Sequence, residues 1–145
     1  MIALDTNILV FAHIRHSPWH EKALRRVTDL AQGDGPWGLP VFCLGEFVRV
    51  VTHPRLLDSP STLNQAVQAL DGLLESPMLR LLSPGARYPA ILLRELRSAD
   101  ARGNLAFDAQ IAAVCLEHGV SHLLTHDRDF ARFPQLQIRT LDDPL

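Results

Sequence analysis

The sequence predicts an α/β fold: a short, mainly parallel sheet of four or five strands with helices on both faces. Short apolar runs such as residues 1–4, 78–82 and 122–125 alternate with longer helical stretches, the pattern of a sheet buried on both sides. No repeat, low-complexity tract or long linker divides the 145 residues, which fit one domain over 1–145. Asp5 directly follows one such run and Asp127 comes just after the strand over 122–125, and the carboxyl ends of parallel strands are where such sheets bind ligands.

Residues 1–4 read as the first strand, and 6–13 as a helix with Ile8, Leu9, Phe11 and Ala12 apolar. Ser17-Pro18, an N-cap followed by first-turn proline, signals a second helix reaching residue 32, which the Gly33-Asp34-Gly35-Pro36 stretch breaks. Residues 37–39 form a short strand. The helix over 41–52 ends at His53-Pro54, because a residue preceding proline avoids the helical region.

Ser61 is expected to cap an amphipathic helix running to about residue 75, with Leu63, Val67, Leu70, Leu73 and Leu74 on one side. A strand over 78–82 and a helix over 88–99 follow. Asn104 is placed to cap a helix over 105–118 that Gly119 terminates. Residues 122–125 make another strand, 127–133 a tight turn or short helix, and 138–141 an edge strand. The helices number six or seven.

Net charge is −2, yet 13 of the 14 basic residues are arginine and Lys22 is the only lysine. Acids gathered in a pocket with arginines on its rim would leave near-neutral charge compatible with an RNA or DNA substrate. Cys43 and Cys115 lie in apolar helical stretches, which suits core thiols in a reducing compartment better than a disulfide framework. The start of the chain lacks a cationic stretch before its apolar run, and no segment nears the ~18 apolar residues of a membrane span. A cytoplasmic protein is therefore expected.

Four acids are the candidate site. Asp5 and Asp127 share the sheet's carboxyl edge, with Asp129 two residues on and able to leave an extended chain on the same side. Asp108 falls in the first turns of a helix, where the dipole alone favours a carboxylate. Glu46 interrupts an apolar helix, and an unpartnered buried carboxylate is costly. Carboxylates without interleaved Cys or His suit a hard divalent ion, magnesium or manganese. Thr6 and Asn7, just past the first strand, can orient Asp5 by hydrogen bonds, or simply begin a helix.

The sequence resembles the PIN-domain ribonucleases, and more closely the VapC-like toxins of bacterial toxin–antitoxin pairs. The resemblance is carried by Leu4-Asp5-Thr6-Asn7-Ile8-Leu9-Val10, Glu46 inside a helix, Asn104 to Ala113 around Phe107-Asp108-Ala109, and Thr125-His126-Asp127-Arg128-Asp129-Phe130. Segments around Ser17-Pro18 and Thr52-His53-Pro54-Arg55 add to it.

This resemblance implies a PIN-like three-layer α/β/α domain and a metal-dependent endoribonuclease, the toxin of a toxin–antitoxin pair. It implies that Asp5, Glu46, Asp108 and Asp127 line a pocket for Mg²⁺ or Mn²⁺, with Asp129 nearby and Thr6, Asn7 and Thr125 as supporting or substrate-contacting groups. Crowded carboxylates raise one another's pKa, and an ion relieves the strain. One or two ions, the latter about 3.5–4 Å apart, would activate water against a phosphodiester.

RNA phosphate contacts are expected from Arg15, Arg49, Arg55, Arg102 and Arg128; Trp19, Trp37 or Phe130 could add base stacking, although each of the three fits the core more readily. A small antitoxin is the implied partner, its apolar helix lying in a groove walled by helices 6–13, 20–32 and 61–75 and its basic tail reaching the acids. Homodimerisation is also expected.

Other readings fit less well. A zinc site on His13, His16 and His20 has Ser17-Pro18 breaking the helix that would align it. A haloacid-dehalogenase-type phosphotransferase would carry aspartate where Asn7 stands, and a receiver domain needs a site lysine, whereas Lys22 sits in an early helix. The alternative function is a catalytically silent PIN-like module binding RNA or protein.

Overall fold

The structure is a computed structural model that describes residues 1–144. Five strands, β1 (Ile2–Leu4), β2 (Trp37–Pro40), β3 (Leu79–Leu82), β4 (His122–Leu124) and β5 (Ile138–Arg139), form one sheet in the order β3-β2-β1-β4-β5. Every pairing is parallel, with Ala3 beside Gly38 on one side and Leu123 on the other. Six α-helices connect them: α1 (Thr6–His13), α2 (His20–Gln32), α3 (Phe42–Val51), α4 (Leu63–Leu74), α5 (Tyr88–Ser98) and α6 (Leu105–Glu117). A short 3-10 turn, Arg128–Arg132, lies between β4 and β5.

Handedness explains the layers. The chain steps outward from β1 to β2 to β3, then returns past β1 to β4. Right-handed crossovers therefore put α1 to α4 on one face and α5 and α6 on the other. Buried Leu4, Ile8, Leu39, Ile111, Leu123 and Leu124 fill the space between these layers. The strand order reverses between β1 and β4, and such a switch point opens a crevice at the carboxyl ends of its two strands. Helices α1 and α3 begin at that edge, and so does α6, which runs back toward the start of β4.

The expected elements are present, with shifted caps. Thr62, not Ser61, caps α4: its hydroxyl accepts the Gln65 N–H at 3.1 Å while the Gln65 side chain accepts the Thr62 N–H at 2.9 Å. Ser61 instead lies 2.8 Å from His13 Nε2. Removing the cap with Thr62→Ala is expected to cost about 1 kcal/mol, read as a lower midpoint in urea with an unchanged slope.

Ser17 opens a turn rather than capping α2. Its hydroxyl accepts the Trp19 N–H and its carbonyl the His20 N–H, so the helix starts at His20. Asn104 has helical backbone angles and its side chain makes no capping bond to α6.

The structure decides two points about side chains that the sequence left open. Trp37 and Phe130 are 0% and 1% exposed, packed in the core and closed to a nucleobase. The apolar side of α4 is not buried as a stripe: Leu63, Val67 and Leu74 are 64%, 41% and 44% exposed, and Ala66 is the helix's one fully buried residue.

Candidate functional site

Asp5 leaves the end of β1 as the N-cap of α1 and is 4% exposed. Three groups hold it. Thr6 N–H donates to Oδ1 at 2.7 Å, and Asn7 Nδ2–H and the Thr125 hydroxyl donate to Oδ2 at 2.8 and 2.7 Å. Thr125, at the end of β4, also accepts from Asn7 Nδ2–H at 3.0 Å and from the Asp127 N–H at 2.9 Å. One hydroxyl thus ties the two strand ends of the switch point together.

Beside this anchor lies a cleft of about 760 Å³ between α3 and α6, lined by Glu46, Asp108, Asp127 and Asp129 among others. Asp108 projects from the first turn of α6. Asp127 caps the 3-10 turn by accepting the Asp129 N–H at 2.8 Å. That local bond, and not the extended chain expected, brings Asp127 and Asp129 together.

Glu46 is half-buried rather than lost in an apolar face. Its Oε2 accepts from the Thr6 hydroxyl at 3.0 Å, and Arg49 approaches its Oε1 at 3.8 Å.

The charges press on one another. Burial pushes the Asp108 carboxyl up to about 7, and Asp127, Asp5, Asp129 and Glu46 push the same way. Burial also raises Asp5, to about 6, against the hydrogen bonds from Thr125 and Thr6 and with the help of Glu46 and Asp127. Each of these groups therefore tends to keep a proton until a cation arrives.

The donor set fits a hard divalent ion. One oxygen from each of Asp108, Asp127 and Asp129 lies within 4.8 Å of the others, the one such grouping of acid, His or Cys ligand atoms among the described residues. All three are carboxylate oxygens, the ligands magnesium and manganese favour. Asp5, buried, lies close enough to act on the Asp108 charge, and Glu46 lines the cleft from α3. The histidines do not converge: His13 meets Ser61, His20 Nδ1 lies 3.0 Å from the Phe11 carbonyl oxygen, and His16 is exposed. Burial pushes the Cys43 and Cys115 thiols up, which removes both as nucleophiles.

Arg49 lines the cleft, and exposed Arg102 lines an adjoining hollow with Asn104, Asp129 and Arg132 while pairing with Asp100 at 3.0 Å. Arg128 is exposed beside Asp127. Arg55 is exposed in the loop after α3, and Arg15 lines a separate hollow with His13 and Ser61. Trp19 stacks on His126 with ring centroids 4.1 Å apart. The cleft also holds Phe42, Phe107 and Gln110, which the sequence did not single out. Helix α6 is apolar nearly throughout, so no polar stripe betrays which of its residues face solvent.

A parallel sheet with carboxylates gathered at its switch point is the architecture of PIN-type α/β proteins. The chain belongs to the PIN domain family, which matches residues 2–136. It is 38% identical to Ribonuclease VapC43 of Mycobacterium tuberculosis, over 96% of this chain and 94% of that one. Ribonuclease VapC48 of the same organism is 36% identical, covering 93% of each chain. Among solved structures it is similar to VapBC2 from Rickettsia felis bound to a promoter DNA fragment, with a TM-score of 0.67, 25% identity and coverage of 97% and 98%. Mycobacterium tuberculosis VapC20 shares the fold at a TM-score of 0.67 and 21% identity, over 90% of this chain and 93% of that one.

Proposed function

We propose that the protein is an endoribonuclease of the VapC kind that depends on Mg²⁺ or Mn²⁺ and acts as the toxin of a toxin–antitoxin pair. The convergence of Asp108, Asp127 and Asp129 on one cleft, beside a buried Asp5 held by three hydrogen bonds, is the observation that carries this reading. The identity to ribonucleases along nearly the whole chain supports it. In this reading residues 1–145 act as one PIN-like domain.

Asp108, Asp127 and Asp129 would hold the ion, with the charges of Asp5 and Glu46 close by. When bound, a divalent ion supplies Lewis acidity, making water a stronger nucleophile at neutral pH and offsetting charge that builds around phosphorus. The remaining work falls to the chain. Thr125 and Asn7 fix the Asp5 carboxylate, so the acids keep their spacing without rearrangement during the reaction. Asp108, whose carboxyl burial pushes up to about 7, would give up its proton as positive charge enters the cleft. Arg49, exposed and only loosely tied to Glu46, is free to meet a backbone phosphate.

Thr125→Val removes one donor to Asp5 and two acceptor contacts while keeping the side chain's shape. It is expected to weaken Mn²⁺ affinity or cleavage about 10- to 100-fold, measured by manganese titration and single-turnover cutting. Unchanged values would remove Thr125 from the site.

An antitoxin segment is the proposed partner. A small apolar hollow lies between α1, α2 and α4, lined by Leu9, Ala12, Val27, Leu70 and Leu73 among others, next to the exposed Val67 and Leu74. An amphipathic helix would cover this surface. The similarity to the VapBC2 assembly supports such a partner, and the pair would work as dimers. No helix among the described residues is long and apolar enough to cross a membrane, in keeping with the proposed cytoplasmic location.

Incubating purified protein with a cellular RNA pool, in magnesium or manganese and in chelator, tests the activity. Cutting at defined positions that stops in chelator supports the reading; intact RNA in both metals, or cutting indifferent to chelator, overturns it.

A further inference from the structure

We infer that Phe107 is a stacking platform for a nucleobase next to the scissile phosphate of a single-stranded RNA, an inference that rests on the ribonuclease reading of the same cleft. Phe107 immediately precedes Asp108 and lines the cleft with Glu46, Asp127 and Asp129. Its side chain is 63% exposed, among the most exposed of the large hydrophobic residues. That exposure is not a spill-over from a loosely packed helix. Ala109 and every residue from Ile111 to Cys115 of α6 are buried, so the ring stands apart from an otherwise interior helix.

The other aromatic rings near the sheet edge already have partners. Phe42 lies 6.1 Å from Tyr88, Phe130 lies 6.1 Å from Phe133, and Trp19 covers His126. Phe107 enters no ring pair among the described residues. An apolar ring held in water beside crowded carboxylates gains most from a flat, polarisable surface that can slide over it.

Charge and size point to a nucleotide as that occupant. The cleft's roughly 760 Å³ is in the range that takes a small molecule. Its acids would hold a cation, which favours a negatively charged partner, and Arg49 on the facing helix is placed to meet a phosphate backbone. The side-chain amide of Gln110 and that of Asn104, unused in capping α6, line the same cleft and offer a donor and an acceptor each. Single-stranded RNA is recognised in this way, by bases splayed onto aromatic faces and read along their edges. Stacking alone accepts any base, so Phe107 sets how tightly the strand is held at the cut, and the amides bias which base lies there.

The test compares wild type with Phe107→Ala, Phe107→Leu and Phe107→Trp. Cut ends are mapped on a cellular RNA pool, kcat/KM is measured on a short RNA carrying the mapped site, and molar mass is determined in solution. The expected result is a loss of about 10- to 100-fold in kcat/KM for Ala and Leu, near-wild-type values for Trp, and unchanged molar mass. Cleavage by Ala equal to wild type overturns the inference while leaving the ribonuclease intact. Rescue by Leu as complete as by Trp overturns it too, because apolar contact would then suffice without stacking. Loss of activity that tracks a fall in molar mass assigns the ring to contact with a second copy of the chain. A wild-type protein that leaves the pool uncut fails the ribonuclease reading itself, and this inference falls with it. If Ala folds poorly, the Leu and Trp pair still separates stacking from packing.

Discussion

Asp108→Asn is expected to cut RNA about 10³-fold more slowly than wild type at saturating magnesium, and yet to melt at a higher temperature than wild type in chelator at pH 8. The two effects have one cause. Asp108 is the acid on which Asp127, Asp5, Asp129 and Glu46 all press, so its charge destabilises the metal-free fold and attracts a cation. The amide keeps the shape, removes the charge and takes away one of the oxygens proposed to hold the ion. A factor of 10³ corresponds to about 4 kcal/mol of barrier, the scale expected when a metal ion's stabilisation of developing charge is lost. Single-turnover cleavage and thermal melts of the two proteins measure both effects. A variant that loses activity and melts lower would point to a structural role for Asp108 instead.

The second large effect is on pH dependence. Asp108 and Asp5 move from an ordinary 3.8 to about 7 and about 6 in the folded, metal-free protein. The native state therefore binds protons more tightly than the unfolded chain at these two groups. Their contribution to stability is full below about pH 4 and disappears as pH rises through about 6 and 7. His13 and His126, lowered by burial, act in the opposite sense near neutrality. Comparing wild type with Asp108→Asn cancels them.

In chelator, the melting temperature of the variant minus that of wild type should widen in the variant's favour from pH 5 to pH 8. Magnesium or manganese should close or reverse the gap, since an ion at 100 times its dissociation constant stabilises the form that binds it by about 2.7 kcal/mol. A gap that does not change with pH, or does not respond to the ion, would falsify the electrostatic account of the cleft.

The sheet and most helices were legible because their signals are local and redundant. Apolar runs, Gly and Pro breaks and the alternation of elements all pointed to one parallel sheet. The rule placing ligands at strand ends found Asp5 and Asp127 before any contact was known. Caps slipped by one or two residues, from Ser61 to Thr62 and from Ser17 to Trp19. Ser61 and Thr62 are equally good acceptors in isolation, and the reciprocal bond with Gln65 decides between them.

The tertiary contacts were harder to read. Nothing local says that Trp37 and Phe130 are interior and Phe107 is not: Phe130 stands between Asp129 and Ala131-Arg132 and is buried, whereas Phe107 follows the apolar Leu105-Ala106 and is exposed. The Thr125 hydroxyl that joins Asp5, Asn7 and Asp127 spans 120 residues of sequence to Asp5, a separation at which pattern carries no geometric information. The apolar side of α4 was legible as a stripe, but whether its own chain covers it was not. The structure leaves much of it in solvent.

Anomalous scattering from crystals grown with manganese tests the central claim most directly. The account predicts a manganese peak in the cleft, coordinated by oxygens of Asp108, Asp127 and Asp129 and weakened in crystals of Asp127→Asn. Crystals without manganese at these carboxylates, or with an ion bound elsewhere on the chain and unaffected by Asp127→Asn, would contradict it.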